Sequence, residues 1–195
     1  MTEDGPEPGP VLNLRGRSVA LGPLERRLVP TYQRWENDFS LHPLRGIRSR
    51  PVTLEQASQS YERTDPDSAW FTVYELATQR PIGLAWWDQI EPWDGTAVLG
   101  IFLGESEVRG RGYGTEAVQL MLDYAFNTLG LHNAMLIVAE FNHAARRAYQ
   151  KAGFREYGRR SGSYRVGGRR WDDIYMQALA PDFPTSISVG QQDLS

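Results

Sequence analysis

The 195-residue sequence predicts a single mixed α/β domain with elements in the order β-α-α-β-β-β-α-β-α-β-β. Three observations carry this. The runs "AWFTVYEL", "PIGLAWWDQI" and "TAVLGIFL" are rich in β-branched and aromatic residues and are split by the turn signals "TQR" and "EPWDG", as in an antiparallel meander. From Thr115 the period changes: Ala117, Leu120, Met121, Tyr124 and Ala125 recur at helical spacing. Towards the carboxyl end, two further β-like runs, "FREYGRRSGSYRV" and "RRWDDIYMQAL", are joined through "GG".

The other elements follow from local signals. "SVALGP" reads as the first strand. Pro30 suits a helix start, and Tyr32, Trp35 and Phe39 are spaced for one face of that helix. "TLEQ" at 53–56 is a capping box, opening a second helix that runs to about Arg63. Trp86 and Trp87, adjacent on a strand, must face opposite sides, one into the core and one towards a site. Gly130 stops the third helix, and "NAMLIVA" is a short buried strand. Asn142 caps a last helix, "HAARRAYQKA", closed by Gly153 with Phe154 packing behind it. Residues 1–10 and 181–195 read as tails, leaving residues 11–180 as the domain.

Composition excludes several classes of function. There is no cysteine, so disulfides and thiolate chemistry are ruled out, and His42, His132 and His143 are too scattered for a metal cluster. With 21 Lys+Arg against 24 Asp+Glu the net charge is −3, against the basic excess of a nucleic-acid binder. No apolar run matches a membrane span and the first residues lack a signal-peptide pattern, so a soluble, cytoplasmic protein is expected. Arg155, Arg159, Arg160, Arg165, Arg169 and Arg170 read as an exposed or interface hairpin, which together with the aromatic strands makes a homodimer plausible.

The chemistry centres on "VRGRGYGTEA", residues 108–117. Glycines and arginines just before a helix make an anion site, most often for phosphate. A Walker A loop fails, because no Lys-Ser/Thr pair follows the last glycine. Gly112, Gly114 and Ala117, with Glu140 further on, fit a dinucleotide fingerprint, but only one βαβ unit can be built around them. "RGRGYG" also fits the R/Q-x-x-G-x-G/A loop of the GNAT superfamily of N-acetyltransferases, and "NHAARRAYQKAGF" resembles that family's N-x-x-A-x-x-x-Y-x-K-x-G-F segment. The two blocks come in the family's order, separated by one helix and one strand. The resemblance spans about residues 12–180 and is strongest to the RimJ/RimL and spermidine acetyltransferase-like branch. It implies a mixed, mostly antiparallel central sheet flanked by helices, with one splayed parallel strand pair at 97–103 and 134–139.

The resemblance also implies roles. Arg109, Gly110, Arg111, Gly112, Tyr113, Gly114 and Thr115 would surround the pyrophosphate of acetyl-CoA, with no metal required. Backbone groups of Phe102 and Leu103 would meet pantetheine and the thioester oxygen, where an N–H stabilises developing negative charge. Asn142 would bind the pantetheine arm, and Tyr149 would protonate the departing thiolate. Seven residues apart, they return to within about 20° of one helical face. Arg146, Arg147 and Lys151 form a solvated face from which one could reach the CoA 3′-phosphate. Read without the motif, Tyr149 is equally a core tyrosine and Asn142 only a cap. Without cysteine, the amine attacks directly in a ternary complex.

An alkylamine near pKa 10.4 loses about 4.6 kcal/mol to protonation at pH 7, so a base is needed. Many relatives carry a glutamate in the central strand; Val98 stands there in this chain. Asp88, Glu91, Asp94, Glu36 and Asp38 are the substitutes. The expected acceptor is a small amine such as a polyamine, amino acid or antibiotic amine. The alternatives are a protein amino terminus, as in ribosomal-protein acetylation, or a non-catalytic acyl-CoA-binding module.

Overall fold

In the computed structural model, which describes residues 9–45, 50–62 and 65–183, an eight-stranded sheet runs in the order β1-β2-β3-β4-β5-β6-β8-β7. The strands are β1 (Leu14–Arg15), β2 (Val19–Pro23), β3 (Ala69–Glu75), β4 (Arg80–Glu91), β5 (Thr96–Leu103), β6 (Asn133–Ala139), β7 (Arg155–Val166) and β8 (Arg169–Leu179). The meander of β3, β4 and β5 is antiparallel, as expected, and among the described residues only β5 and β6 pair in parallel.

The helices are α1 (Val29–Glu36), α2 (His42–Arg45), α3 (Leu54–Glu62), α4 (Tyr113–Asp123) and α5 (His143–Ala152). Thr53 and Gln56 exchange the reciprocal bonds of a capping box at the start of α3, at 3.0 and 3.2 Å. The first helix is shorter than expected. It ends at Glu36, burying Tyr32 and Trp35 and leaving Phe39 exposed beyond it. Helix α4 starts two residues before Thr115 and runs into a π turn, Tyr124–Thr128, before Gly130 turns the chain at φ +67°. The two-residue β1 and four-residue α2 are too short to leave a periodic signal. The expected tails lie mostly outside the described residues, at 1–8 and 184–195.

The sheet separates two cores. On one face Trp87, Leu99, Leu136 and Ile174 pack with Leu120 and Met121 of α4. On the other, Leu84 and Phe102 pack with Tyr32, Trp35 and Ala57 of α1 and α3. Burying one large side chain such as Trp87 contributes roughly 1.5–3 kcal/mol, so each core is a major source of stability. Trp86 and Trp87 do face opposite ways, with Trp87 fully buried and Trp86 stacked on Trp70 at 4.6 Å.

Gly100 of β5 and Gly104 just after it are seats for indoles. A β-carbon at Gly100 would lie 2.1 Å from Trp86, and one at Gly104 would lie 2.4 Å from Trp35. Absence of a side chain lets each ring lie flat against the strand.

Candidate active site

The site begins where β5 and β6 stop pairing. Their register runs Thr96–Asn133, Ala97–Ala134 and Val98–Met135 and goes no further, although β5 continues to Leu103 and β6 to Ala139. Beyond Val98 no strand among the described residues pairs with the inner edge of β5. A cleft of about 480 Å³ lies there, lined by β5, the loop before α4, α4, α5 and two leucines, Leu41 and Leu44, at α2.

Antiparallel alternation decides which backbone groups of β5 are available. The Gly104 N–H donates to Ile82 O at 2.8 Å. Stepping by two, the groups of Phe102 also turn towards β4, opposite Leu84, whereas those of Ile101 and Leu103 turn towards the cleft. The expectation that Phe102 and Leu103 both offer backbone groups is therefore corrected to Ile101 and Leu103. Phe102 lines the cleft, but β4 takes its backbone.

At one end of the cleft α4 starts bare. Gly112 occupies the N-cap in a left-handed conformation, φ +85°, and no side chain caps the helix. Gly110 is also left-handed, φ +77°, and space is open where a β-carbon would stand on either glycine. The glycines meet the need for positive φ, and the first-turn N–H groups with their partial positive charge stay directed outward. Glu116, the acid of that first turn, accepts instead from the Ser18 N–H at 2.9 Å and from the Arg17 N–H. Among the described residues Arg109, Arg147 and Lys151 line the cleft and no acid does, so the cleft is positive in a chain of net charge −3.

Towards the other end, Asn142 caps α5. Its Oδ1 accepts from the Ala145 N–H at 3.2 Å, and its Nδ2 donates to Leu44 O at 3.3 Å. Tyr164 of β7 donates to the Pro43 and His42 carbonyls, so α2 is held over the cleft from two sides. Tyr149 lies on the same face of α5 as Asn142, in the cleft wall, with its ring against Phe154 at 6.0 Å. Burial pushes its hydroxyl up to about 12. Alone that would make it a weaker donor to a thiolate, but burial raises a thiol for the same reason, so a sulfur in this pocket shifts in the same direction.

Of the expected residues, Phe102, Leu103, Arg109, Gly110, Gly112, Gly114, Thr115, Asn142, Tyr149 and Lys151 meet around this cleft. Arg111, Tyr113 and Arg146 do not. The Tyr113 hydroxyl donates to Glu75 at 3.1 Å and Arg111 lies 3.8 Å from the same carboxylate, so both tie the glycine loop to β3. Arg146 pairs with Glu156 at 3.2 Å, and Arg147, one position on, is the arginine of α5 that lines the cleft. Not singled out from the sequence were Leu41, Leu44, Ile101, Val118 and the alanines 144, 145 and 148. The alanine spacing on α5 was the available signal: small side chains let a ligand lie close to the helix.

The substitute carboxylates separate clearly. Asp38 is exposed, and its Ser40 hydrogen bonds hold it below the usual range. Glu91 accepts the Trp93 N–H in an exposed turn, where Asp94 is exposed as well. Glu36 accepts from the Tyr61 hydroxyl at 2.8 Å. Asp88 is half-buried on β4, directly opposite Val98, and accepts from the Trp86 indole N–H at 2.8 Å. Burial lifts its carboxyl above the usual range, against that bond. The arginines of the hairpin are largely engaged: Arg159 with Glu140 and Asp172, Arg160 with Asp173, Arg155 with Asp182.

Comparison with known proteins identifies the family. Residues 19–155 match the family model of the acetyltransferase (GNAT) domain. The chain is 31% identical over 164 residues to human alpha/beta-tubulin-N-acetyltransferase 9, covering 73% of this chain and 75% of that protein. It is also 31% identical over 130 residues to the probable N-acetyltransferase YjcK of Bacillus subtilis, covering 66% and 71%. In fold it resembles the spermidine N-acetyltransferase of Vibrio cholerae solved with CoA and spermine, at a TM-score of 0.79 and 24% identity over 85% of this chain and 98% of that one. The chain therefore belongs to the GNAT acetyltransferase family and is an N-acetyltransferase.

Proposed function

We propose that the protein transfers an acetyl group from acetyl-CoA to a small primary amine by direct attack in a ternary complex, using the domain at residues 11–180. The observation that carries this is the cleft itself, lined by an uncapped helix start, by Arg109, Arg147 and Lys151, and by Tyr149. The donor supplies an activated acetyl thioester. The first turn of α4, Arg109, Arg147 and Lys151 suit its phosphates. The free backbone groups of Ile101 and Leu103 suit an amide-bearing arm lying as a surrogate strand. Tyr149 holds a proton that the leaving sulfur needs. The RimJ/RimL and spermidine acetyltransferase-like branch supports a polyamine-type acceptor, as does the fold of the Vibrio enzyme.

A second acceptor, the amino end of a peptide, is favoured by a particular feature. On the sheet face carrying Val98, Ile137 and Tyr157 are half exposed, which leaves room for an extended chain. The human relative's name, a tubulin acetyltransferase, points the same way. A cytoplasmic location suits either acceptor. A homodimer or larger assembly fits the Vibrio enzyme's dodecameric form.

The test is free-thiol release from acetyl-CoA with polyamines, amino acids, aminoglycosides and short peptides. Acceptor-dependent release is expected, falling at least about 100-fold in Tyr149→Phe with acetyl-CoA binding retained. Since Tyr149 stays protonated well past pH 10, its ionisation should not limit the rate below that pH. Binding of acetyl-CoA without release to any acceptor would instead identify a non-catalytic acyl-CoA-binding module.

A further inference from the structure

We propose that Asp88 is the catalytic residue that accepts the proton of the acceptor ammonium, doing from β4 what Val98 cannot do from β5. This rests on the acetyl-transfer reading above.

The argument is one of register. Asp88 and Val98 are directly opposed across β4 and β5, and Val98 is opposed to Met135 across β5 and β6. Directly opposed residues project from the same sheet face. The row through Asp88, Val98 and Met135 is also the last row in which β5 and β6 are joined. Asp88 therefore stands one strand spacing, about 4.8 Å, from Val98 on β5, the strand whose far edge opens. It is on the face of Trp86 and Trp70, opposite the face that carries Trp87 and α4. A donor held by the start of α4 reaches the opening from one face of the sheet, and Asp88 lies on the opposite face, one strand over from the opening.

The surroundings hold this carboxylate in place without neutralising it. The Trp86 indole is fixed between Gly100 and Trp70, and its N–H holds one carboxylate oxygen of Asp88, leaving the other oxygen available. Trp70 and Trp86, Val98 and Gly100 present no charge to Asp88 from β3, β4 and β5. The Asp65 carboxylate, in the turn before β3, favours its protonated form, as burial does. No cation is among the groups that shift it. A carboxylate desolvated without a counter-ion is a stronger base than one in water.

The protons balance. The ammonium nitrogen loses two. Asp88 takes the first, freeing the lone pair, and passes it to water. The second leaves as the C–N bond forms and the C–S bond breaks, replacing the proton that Tyr149 gives to sulfur. The net products are amide, thiol and one proton released to solvent.

The test is the pH profile of kcat/KM for the best amine with wild type, Asp88→Asn and Trp86→Phe. In Asp88→Asn the rate at pH 7 should fall about 100-fold, and the deficit should shrink as pH approaches the amine's own pKa. Trp86→Phe removes the N–H that favours the carboxylate, so the acid limb should move to higher pH. Unchanged acetyl-CoA binding and melting temperature in Asp88→Asn would show the fold intact. A merely structural Asp88 would scale the rate equally at every pH, and that parallel profile, or an unchanged rate, would overturn the assignment. Should wild type release no thiol with any amine, the acetyl-transfer reading itself fails, and this assignment falls with it.

Discussion

Helices α4 and α5 both begin at the rim of the cleft, but α4 begins bare and α5 begins capped. At α5, Asn142 occupies the first-turn donor of Ala145 with its own oxygen, and its amide reaches across to Leu44. At α4 a left-handed glycine takes the N-cap, and the nearest acid, Glu116, is bound elsewhere. Two helix starts of similar dipole thus have different uses. A donor already satisfied within the chain organises structure, while one left open is available to a phosphate.

The comparison can be broken most directly at Gly112. Gly112→Val places a β-branched residue at φ +85°, a strain of about 1–2 kcal/mol. If relieving that strain closes the donor set of α4, the KM for acetyl-CoA should rise about tenfold or more, with kcat changed far less. An unchanged KM would show that the α4 start does not hold the donor. Next in size, Asn142→Ala should cost about 1 kcal/mol of stability through the lost cap. That corresponds to a melting temperature lower by about 2–4 °C in a chain of this length. The effect on acetyl-CoA affinity should be smaller than that of Gly112→Val. Smallest of all, Arg147→Ala should raise the KM for acetyl-CoA a few-fold, an effect that fades at high salt. Arg146→Ala should leave that KM unchanged, because Arg146 faces Glu156. Equal effects of the two would mean that α5 acts by general charge alone.

Much of this was legible in the sequence, for identifiable reasons. The meander, the two long helices and the capping box are local signals, and each appears where the pattern put it. The glycine loop and the Asn142–Tyr149 spacing are likewise local. What was not legible depends on long-range register. The phase of the β4–β5 ladder determines that Ile101, not Phe102, turns its backbone to the cleft, and that phase is set by a bond from Gly104 to Ile82. Whether Arg146 or Arg147 faces the cleft depends on a partner on β7, Glu156. That Asp88 lies opposite Val98 depends on the pairing of strands joined by a turn whose length alone does not fix it. Side chains whose roles are set by a neighbour distant in sequence leave no periodic trace.

The free inner edge of β5 also has a consequence for isotope exchange. In a regular ladder every amide is shielded by a neighbouring strand, and deuterium enters only when the structure opens. Along Ile101–Gly104 the shielding alternates: Phe102 and Gly104 are bonded to β4, while Ile101 and Leu103 face the cleft. Gly100 and Gly104, each beneath an indole, hold this stretch of β5 against its core. Neighbouring amides on one rigid strand thus differ in access to water, with the exchangeable pair directed at the cleft. Any molecule that lies along β5 as a surrogate strand will protect those two amides first.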